Sequence, residues 1–251
     1  NTRIADVVVR DRRLRWPVAR GIEKRLRGRR IDSVGRRAKY LLIGTDDGTA
    51  IVHLGMTGSV FIVDHDAPAG IHDHFDILLD SGRSLRFRDP RRFGSFFFTK
   101  KPLAHPLLAE LGPEPLGDEF NGEYLWRRSR GRKVSVKQFI MNAKIVVGVG
   151  NIYASESLFL AGINPKRAAG RIARHRYDAL ADAIKDVLGR AIMAGGTTLR
   201  DFYGGDGEPG YFRQQLEVYD RDGEHCRCCN TIIRAIVQGQ RTTYYCKSCQ
   251  T

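Results

Sequence analysis

The C-terminal stretch reads Cys226-Arg-Cys-Cys229, sixteen further residues, then Cys246-Lys-Ser-Cys249. Two C-x2-C pairs at this separation specify a metal site. Each pair sits on a tight turn that aims both sulfurs at one point, and an intervening two-stranded hairpin brings four thiolates around one Zn²⁺. Cys226, Cys229, Cys246 and Cys249 are the expected ligands, and one structural Zn²⁺ is the expected cofactor. Disulfides account for the pattern less well, because five cysteines is an odd number and the rest of the chain has none. Cys228 lies inside the first pair; only Cys226 with Cys229 keeps the two-residue gap on both sides, which leaves Cys228 free. With four sulfurs committed, no position stays open for a catalytic water, so the site reads as a scaffold.

The remainder of the chain is basic. Its 251 residues carry 42 Lys and Arg against 28 Asp and Glu, a net charge of +14 and a pI near 9.9, which points to a polyanionic partner such as nucleic acid. Residues 1–40 hold fourteen Lys and Arg against four Asp and Glu, so +10 of the excess sits there. These charges are interleaved with apolar strand-like positions, as on a folded basic face. No apolar run is long enough to span a bilayer and no signal-peptide pattern is present, so no membrane is expected.

From Arg3 to about Thr99 short β-rich runs alternate with turn signals. Asp46-Asp-Gly48 separates Tyr40-Leu-Leu-Ile-Gly from Thr49-Ala-Ile-Val-His53, and Asp80-Ser-Gly82 separates Phe75–Leu79 from Ser84–Arg88. One helix interrupts this region, with Val18, Ile22 and Leu26 on one face and Gly28 as its stop. A Pro-rich segment, Pro102 to Pro115, precedes helical periodicity: Asp118–Trp126, Ser135–Met141, Ile152–Ala161, and a longer stripe from Tyr177 to Ala191 ending at Gly195-Gly196. The fold class expected is α+β and multidomain. A β-sandwich spans 1–112, a helical domain 113–217 and a zinc-finger β-hairpin 218–251. Gly204–Gly210 reads as a mobile surface loop or passive linker.

Val147-Gly-Val-Gly-Asn151 opens a helix, with Asn151 as N-cap and free N–H groups that suit a phosphate, although Gly and Asn also start helices for capping alone. The longer string Val147-Gly-Val-Gly-Asn-Ile-Tyr-Ala-Ser-Glu156, with Lys137 before it and Gly162-Ile-Asn-Pro165 after it, resembles the helix-two-turn-helix signature of the formamidopyrimidine-DNA glycosylase and endonuclease VIII family. The resemblance extends through His53-Leu-Gly-Met-Thr-Gly58, Asp89-Pro-Arg-Arg-Phe-Gly94, Leu111-Gly-Pro-Glu-Pro-Leu116 and Gln240-Arg-Thr-Thr-Tyr-Tyr-Cys246, and lies nearest the formamidopyrimidine branch.

What the resemblance implies is a base-excision repair enzyme. Such a protein binds duplex DNA between a β-sandwich and a helical plus zinc-finger domain, and turns out an oxidised purine such as 8-oxoguanine or a formamidopyrimidine, because a stacked base cannot be reached. It then removes the base and cleaves the abasic strand by β,δ-elimination through a Schiff base. Asn151 and Arg241 are implied to grip phosphates flanking the lesion, Lys137 to bind DNA, and Lys39 to reach the same region in a catalytic part. Met56, Arg91 and Phe93 are implied to fill the gap left by the flipped base, Arg91 also contacting DNA. Without the resemblance Phe93 reads as a core aromatic, Met56 as packing, and Arg91 and Lys39 as surface charges. The Gly204–Gly210 loop corresponds to the segment that closes over the extruded base. His72 and His74 would share a strand face, but no third ligand accompanies them. His74 is therefore read as a phosphate contact and a second metal is rejected. Partners are double-stranded DNA with oxidised bases or abasic sites; a monomer in the bacterial cytoplasm, associated with the nucleoid, is expected.

The family's nucleophile is the α-amine of an N-terminal proline followed by a glutamate, whereas this sequence starts at Asn1. A cleaved or further N-terminal segment carrying both is the reading favoured here; a chain that truly starts at Asn1 would instead be a non-catalytic damaged-DNA binder. Endonuclease VIII-like action on oxidised pyrimidines is the alternative within the enzyme class. Asn142 stands where the family usually has Asp, which puts the local hydrogen bonding there in question.

Overall fold

β1 (Thr2–Val9) sets the architecture of the N-terminal region by belonging to two half-sheets. Thr2 and Arg3 pair with β2 (Arg30–Arg37), and from Ile4 onward the strand pairs with β6 (Asp73–Leu79). A register shift between Ile4 and Asp6 marks the change, and buries both Ile4 and Val7, three residues apart rather than the two of a regular strand. The computed structural model describes residues 2–195 and 216–251; the Gly204–Gly210 loop reading lies outside them.

The remaining strands are β3 (Tyr40–Thr45), β4 (Gly48–His53), β5 (Ser59–Asp64), β7 (Arg83–Arg88) and β8 (Ser95–Thr99), in the order β5-β7-β6-β1-β2-β3-β4-β8, with every pair antiparallel. The sheet folds over itself at β1. Phe75 on β6 stacks on Phe96 on β8 at 4.2 Å between centroids, although the two strands are far apart in the sheet order. Phe87 on β7 stacks on Phe75 at 4.8 Å. The inner faces of both halves thus make one core, the arrangement of a β-sandwich.

The first helix is shorter than its apolar spacing suggests. α1 covers only Ile22–Leu26, because Gly21 sits at φ 82, a left-handed conformation that no helical residue adopts. Val18 is buried in the preceding loop, and Gly28 at φ 75 ends the element. α2 (Pro106–Ala109) closes this unit, which runs through Ala109.

The second unit begins at Glu110 and contains α3 (Gly122–Ser129), α4 (Val136–Ile140), α5 (Asn151–Leu160), α6 (Arg174–Met193) and the hairpin β9 (Arg234–Gln238) with β10 (Arg241–Tyr245). α3 starts at Gly122 and not at Asp118, because Asn121 is the cap: its side chain accepts the Tyr124 N–H at 2.9 Å. Gly122 also allows α3 to touch α6, since a Cβ there would lie 2.4 Å from the Asp178 Cα. Ser135 caps α4, and α6 ends before Gly195 at φ 72. Buried Phe139, Leu158, Tyr177 and Ile184 join the helices in one core, and a smaller cluster around Phe159, Val218 and Ile233 joins α5 to the cysteine hairpin. Among the described residues no helix is long and apolar enough to cross a membrane.

Candidate nucleic-acid interface

The metal centre scaffolds one edge of the second unit. Cys226, Cys229, Cys246 and Cys249 bring their sulfurs within 4.8 Å of one another, with Cys229 to Cys246 at 3.4 Å and Cys226 to Cys249 at 3.9 Å. A tetrahedron with metal–sulfur bonds of about 2.3 Å has edges of roughly 3.8 Å, so these four thiols fit a single metal ion. The β9–β10 turn reverses through Gly239 and Gln240, at φ 54 and 60, and delivers Arg241, exposed, as the first residue of β10.

The carbonyl of Thr242, next to Arg241, is held from two sides. Lys137 Nζ on α4 donates to it at 3.1 Å and to Thr243 Oγ1 at 2.7 Å, while Asn151 Nδ2 donates to it at 3.0 Å. Both residues differ here from their sequence reading. Lys137 is only 1 % exposed, and a side chain enclosed to that extent does not reach a DNA backbone. Burial, with the Arg241 charge near it, brings the Lys137 ammonium down to about 8. Its place is structural: it pins the hairpin to α4.

Asn151 is not an N-cap. Gly150 holds that position, Asn151 is the first helical residue, and its side chain turns to the hairpin instead of to its own helix. Tyr219 Oη lies 3.5 Å from the same amide nitrogen, and the Asn151 Oδ1 is buried with no donor among the described residues. The start of α5, Asn151, Tyr219 and Arg241 therefore cluster at the positive end of a ten-residue helix. Glu156, on the same helix, accepts the consecutive N–H groups of Glu217, Val218 and Tyr219 at 2.8, 3.0 and 2.8 Å, and so fixes the chain that carries Tyr219. Asn142 keeps its turn, because its Oδ1 accepts the Lys144 N–H at 3.0 Å, which an amide oxygen does as well as a carboxylate. The sequence reading also passed over Arg128, Arg132 and Lys133, exposed in the run Arg127-Arg-Ser-Arg-Gly-Arg-Lys133; the charge run itself was the signal.

The β unit presents its own cluster. Lys39 is exposed in the β2–β3 turn, beside Ala38 at φ 53. The neighbouring Tyr40 pairs with His53 across the sheet, ring centroids 4.8 Å apart. His53 Nδ1 accepts the Gly55 N–H at 3.1 Å, which leaves the proton on Nε2. Burial, then the charges of Lys39 and Arg15, push the His53 imidazolium below its ordinary range. A neutral N–H donor thus stands near two cations, a setting suited to an anionic oxygen that the sequence alone does not assign to His53.

Met56, Arg91 and Phe93 stand on two turns. Met56 is 61 % exposed and Phe93 44 %, while the exposed Arg91 places its guanidinium carbon 5.4 Å from the Phe93 ring centroid. His74, by contrast, is 1 % exposed, and its ring Nε2 lies 2.7 Å from the Asp89 carbonyl oxygen. It is not a phosphate contact. Strand alternation failed as a guide because the β6–β7 ladder shifts register between Asp73 and Phe75, so His72 lies outside the strand and exposed while His74 points inward. His72 is the histidine of the pair that reaches solvent. Among the described residues the four cysteines are the one cluster suited to a metal.

Two family models match the chain: the formamidopyrimidine-DNA glycosylase N-terminal domain over residues 1–96 and the formamidopyrimidine-DNA glycosylase H2TH domain over residues 111–203. A formamidopyrimidine-DNA glycosylase of Stutzerimonas stutzeri is 58 % identical over 248 residues, which cover 99 % of this chain and 92 % of the relative. The chain belongs to the formamidopyrimidine-DNA glycosylase family.

Solved structures agree. A Lactococcus lactis FPG mutant in complex with a Fapy-dG containing DNA matches with a TM-score of 0.89 and 30 % identity, over 100 % of this chain and 93 % of that one. The L. lactis Fpg with an abasic site containing DNA matches equally well, at 0.89 and 30 % over the same shares. The MutM (Fpg) protein of Thermus thermophilus matches with 0.87 and 34 %, over 99 % of this chain and 91 % of that one. The formamidopyrimidine-DNA glycosylase fold is thus present from the sheet unit through the helices to the cysteine hairpin, as a mixed α+β protein.

Proposed function

We propose that the protein is a bifunctional DNA glycosylase and abasic-site lyase that removes oxidised purines, 8-oxoguanine and formamidopyrimidines, from duplex DNA. The observation that carries the reading is the cluster at Thr242. Two donors, the buried Lys137 ammonium and the half-buried Asn151 amide, hold the carbonyl next to Arg241, so that its guanidinium, the Asn151 amide and the positive end of α5 form a preorganised phosphate grip. Relatives bearing the formamidopyrimidine-DNA glycosylase name, similar over nearly the whole chain, support the same substrate class.

In this reading Arg241, Asn151 and Tyr219 bind phosphates beside the lesion, and Arg132 and Lys133 track the flanking backbone. On the β unit Lys39, His53 and His72 bind the phosphate side. Met56, Arg91 and Phe93 enter the gap left by the extruded base, with the Arg91–Phe93 contact presenting one flat face to the stack. The chemistry is attack of a neutral amine on the sugar C1′, departure of the base and formation of a Schiff base. Loss of the C2′ proton then breaks the 3′ bond, and a second elimination breaks the 5′ bond. Lys39, a cation on the exposed turn near His53, serves proton transfer in these eliminations. The attacking amine of the family is not among the residues placed here. Zn²⁺ is the ion that best suits four thiolates, and it gives the hairpin its rigidity. The protein acts as a monomer in the bacterial cytoplasm.

Borohydride trapping on an 8-oxoguanine duplex tests the reading. The full-length protein should form a covalent adduct and release the free base. Binding to abasic-site DNA with no adduct would make it a damaged-DNA binder instead, and faster release of oxidised pyrimidines than of 8-oxoguanine would move it to the endonuclease VIII class.

A further inference from the structure

The three side chains assigned to the gap come from two separate turns, 54–58 and 89–94, and all three are exposed. Their direction therefore depends on how the two backbones are held to each other, and one buried carboxylate does this. Asp89 is 0 % exposed. Its Oδ1 accepts the Thr57 hydroxyl at 2.6 Å, next to Met56, and its Oδ2 accepts the Gly94 N–H at 2.7 Å, next to Phe93. Its carbonyl accepts the Arg92 N–H at 3.3 Å and faces the His74 ring at 2.7 Å, and its own N–H donates to the His72 carbonyl at 3.0 Å.

The two turns also touch directly. A Cβ on Gly55 would lie 2.6 Å from the Phe93 carbonyl carbon, and one on Gly94 would lie 2.8 Å from the His53 oxygen, so neither turn has room to slide. Between Arg91 and Phe93 the chain takes Arg92 through φ 59, a left-handed conformation that the Arg92–Asp11 ion pair at 2.9 Å helps to hold. Thr57 Oγ1 faces the Arg91 N–H at 3.4 Å, which brings the hydroxyl to both sides of the junction.

We infer that Asp89 and Thr57 are positioning residues for base extrusion: the hydrogen bond from the half-buried Thr57 hydroxyl to the buried Asp89 carboxylate locks the 54–58 and 89–94 turns into one rigid wedge. The inference rests on the gap-filling role of Met56, Arg91 and Phe93 given above. A wedge of this kind matters only where a duplex must be opened and an orphaned partner met. In single-stranded DNA there is no gap to fill, so cleavage there is independent of the lock.

The test is Thr57→Val in the full-length protein, which keeps the shape and removes the hydroxyl, with Thr57→Ser as the conservative variant. A 2-aminopurine opposite the lesion reports insertion in stopped flow, base release is followed on 8-oxoguanine paired with cytosine, and strand cleavage is followed on a single-stranded abasic oligonucleotide. Thr57→Val should slow insertion and base release by about tenfold or more, because a misplacement of about an ångström costs up to roughly a hundredfold. Single-strand cleavage should stay near the wild-type rate, and Thr57→Ser should restore insertion. Insertion at the wild-type rate in Thr57→Val, or equal slowing on duplex and single strand, would overturn the inference. A wild-type protein with no insertion signal on lesion DNA would instead sink the gap-filling reading itself. Should Thr57→Val not fold, Thr57→Ala, which opens space at the same place, is read in the same way.

Discussion

Replacing Lys137 by Met should make the stability of the helical unit respond differently to pH, by an amount the structure sets. The Lys137 amine is enclosed between α4 and the hairpin, and burial brings it from an ordinary 10.5 to about 8. Its folded pKa therefore lies below its unfolded one. Between pH 8 and 10.5 the unfolded chain holds a proton that the folded chain has released, so this group makes the protein more stable as pH rises through that window. Below pH 8 the cost of the buried charge is fully present, about 3 kcal/mol at 1.36 kcal/mol per pH unit. Met keeps the apolar stem and has no proton to exchange. Urea unfolding of both proteins at pH 7 and pH 10, read by the far-UV helix signal, should show the wild type gaining about 2–3 kcal/mol relative to Lys137→Met at the higher pH. Titrations shared by the two proteins cancel in this double difference. An offset that is the same at both pH values would refute the enclosure of the amine and the pinning role that follows from it.

Further outcomes follow from other contacts. His72→Ala should weaken binding to abasic-site DNA by roughly fivefold, the loss of one hydrogen bond of about 1 kcal/mol. His74→Ala should leave the affinity of the folded protein unchanged but lower stability by about 1–3 kcal/mol, because the Asp89 carbonyl loses a buried partner; filter binding and urea unfolding separate the two. Removing the metal with a chelator, or Cys246→Ser, should abolish DNA binding at physiological salt, since Arg241 loses its support; a metal-free protein that still binds would show the hairpin to be dispensable. Arg86→Met should cost about 3–5 kcal/mol at pH 7, because it leaves two buried carboxylates, Asp73 and Asp76, short of a partner. Arg86 forks onto Asp76 at 2.9 and 3.0 Å and ties Ala67 and Pro68 through their carbonyls. In the wild type burial pushes Asp76 up, but hydrogen bonds from Arg10 and Arg86 overcome it and hold the carboxyl below its usual range. The wild type should therefore lose stability as pH falls through that lowered value, while the gap to Arg86→Met should narrow in acid, where protonation relieves the variant. A gap independent of pH would contradict the network.

Short-range chemistry determined much of this protein from the sequence alone. The cysteine spacing specified the metal cluster, because ligand geometry tolerates little variation. Asp46-Asp-Gly48 and Asp80-Ser-Gly82 marked two hairpins, because few residues adopt their backbone angles, and Ser135 marked a helix start because its hydroxyl replaces a missing backbone acceptor. The ordered motifs also placed the chain in its family. Tertiary structure decided which polar side chains face solvent. Lys137 and His74 look like ligand-binding residues when read along the chain, yet Lys137 meets Thr243, 106 residues away, and His74 meets Asp89 across the bend that leads to the wedge turn. A one-residue register shift in the β6–β7 ladder sends His72 outward and His74 inward, and a positive φ at Gly21 shortens the first helix. The linked turns at Asp89 were equally hidden, because hydrogen bonds between distant backbones leave no period in the sequence. Burial depends on what the rest of the chain brings alongside, and only the folded packing of both ladders and helices specifies that.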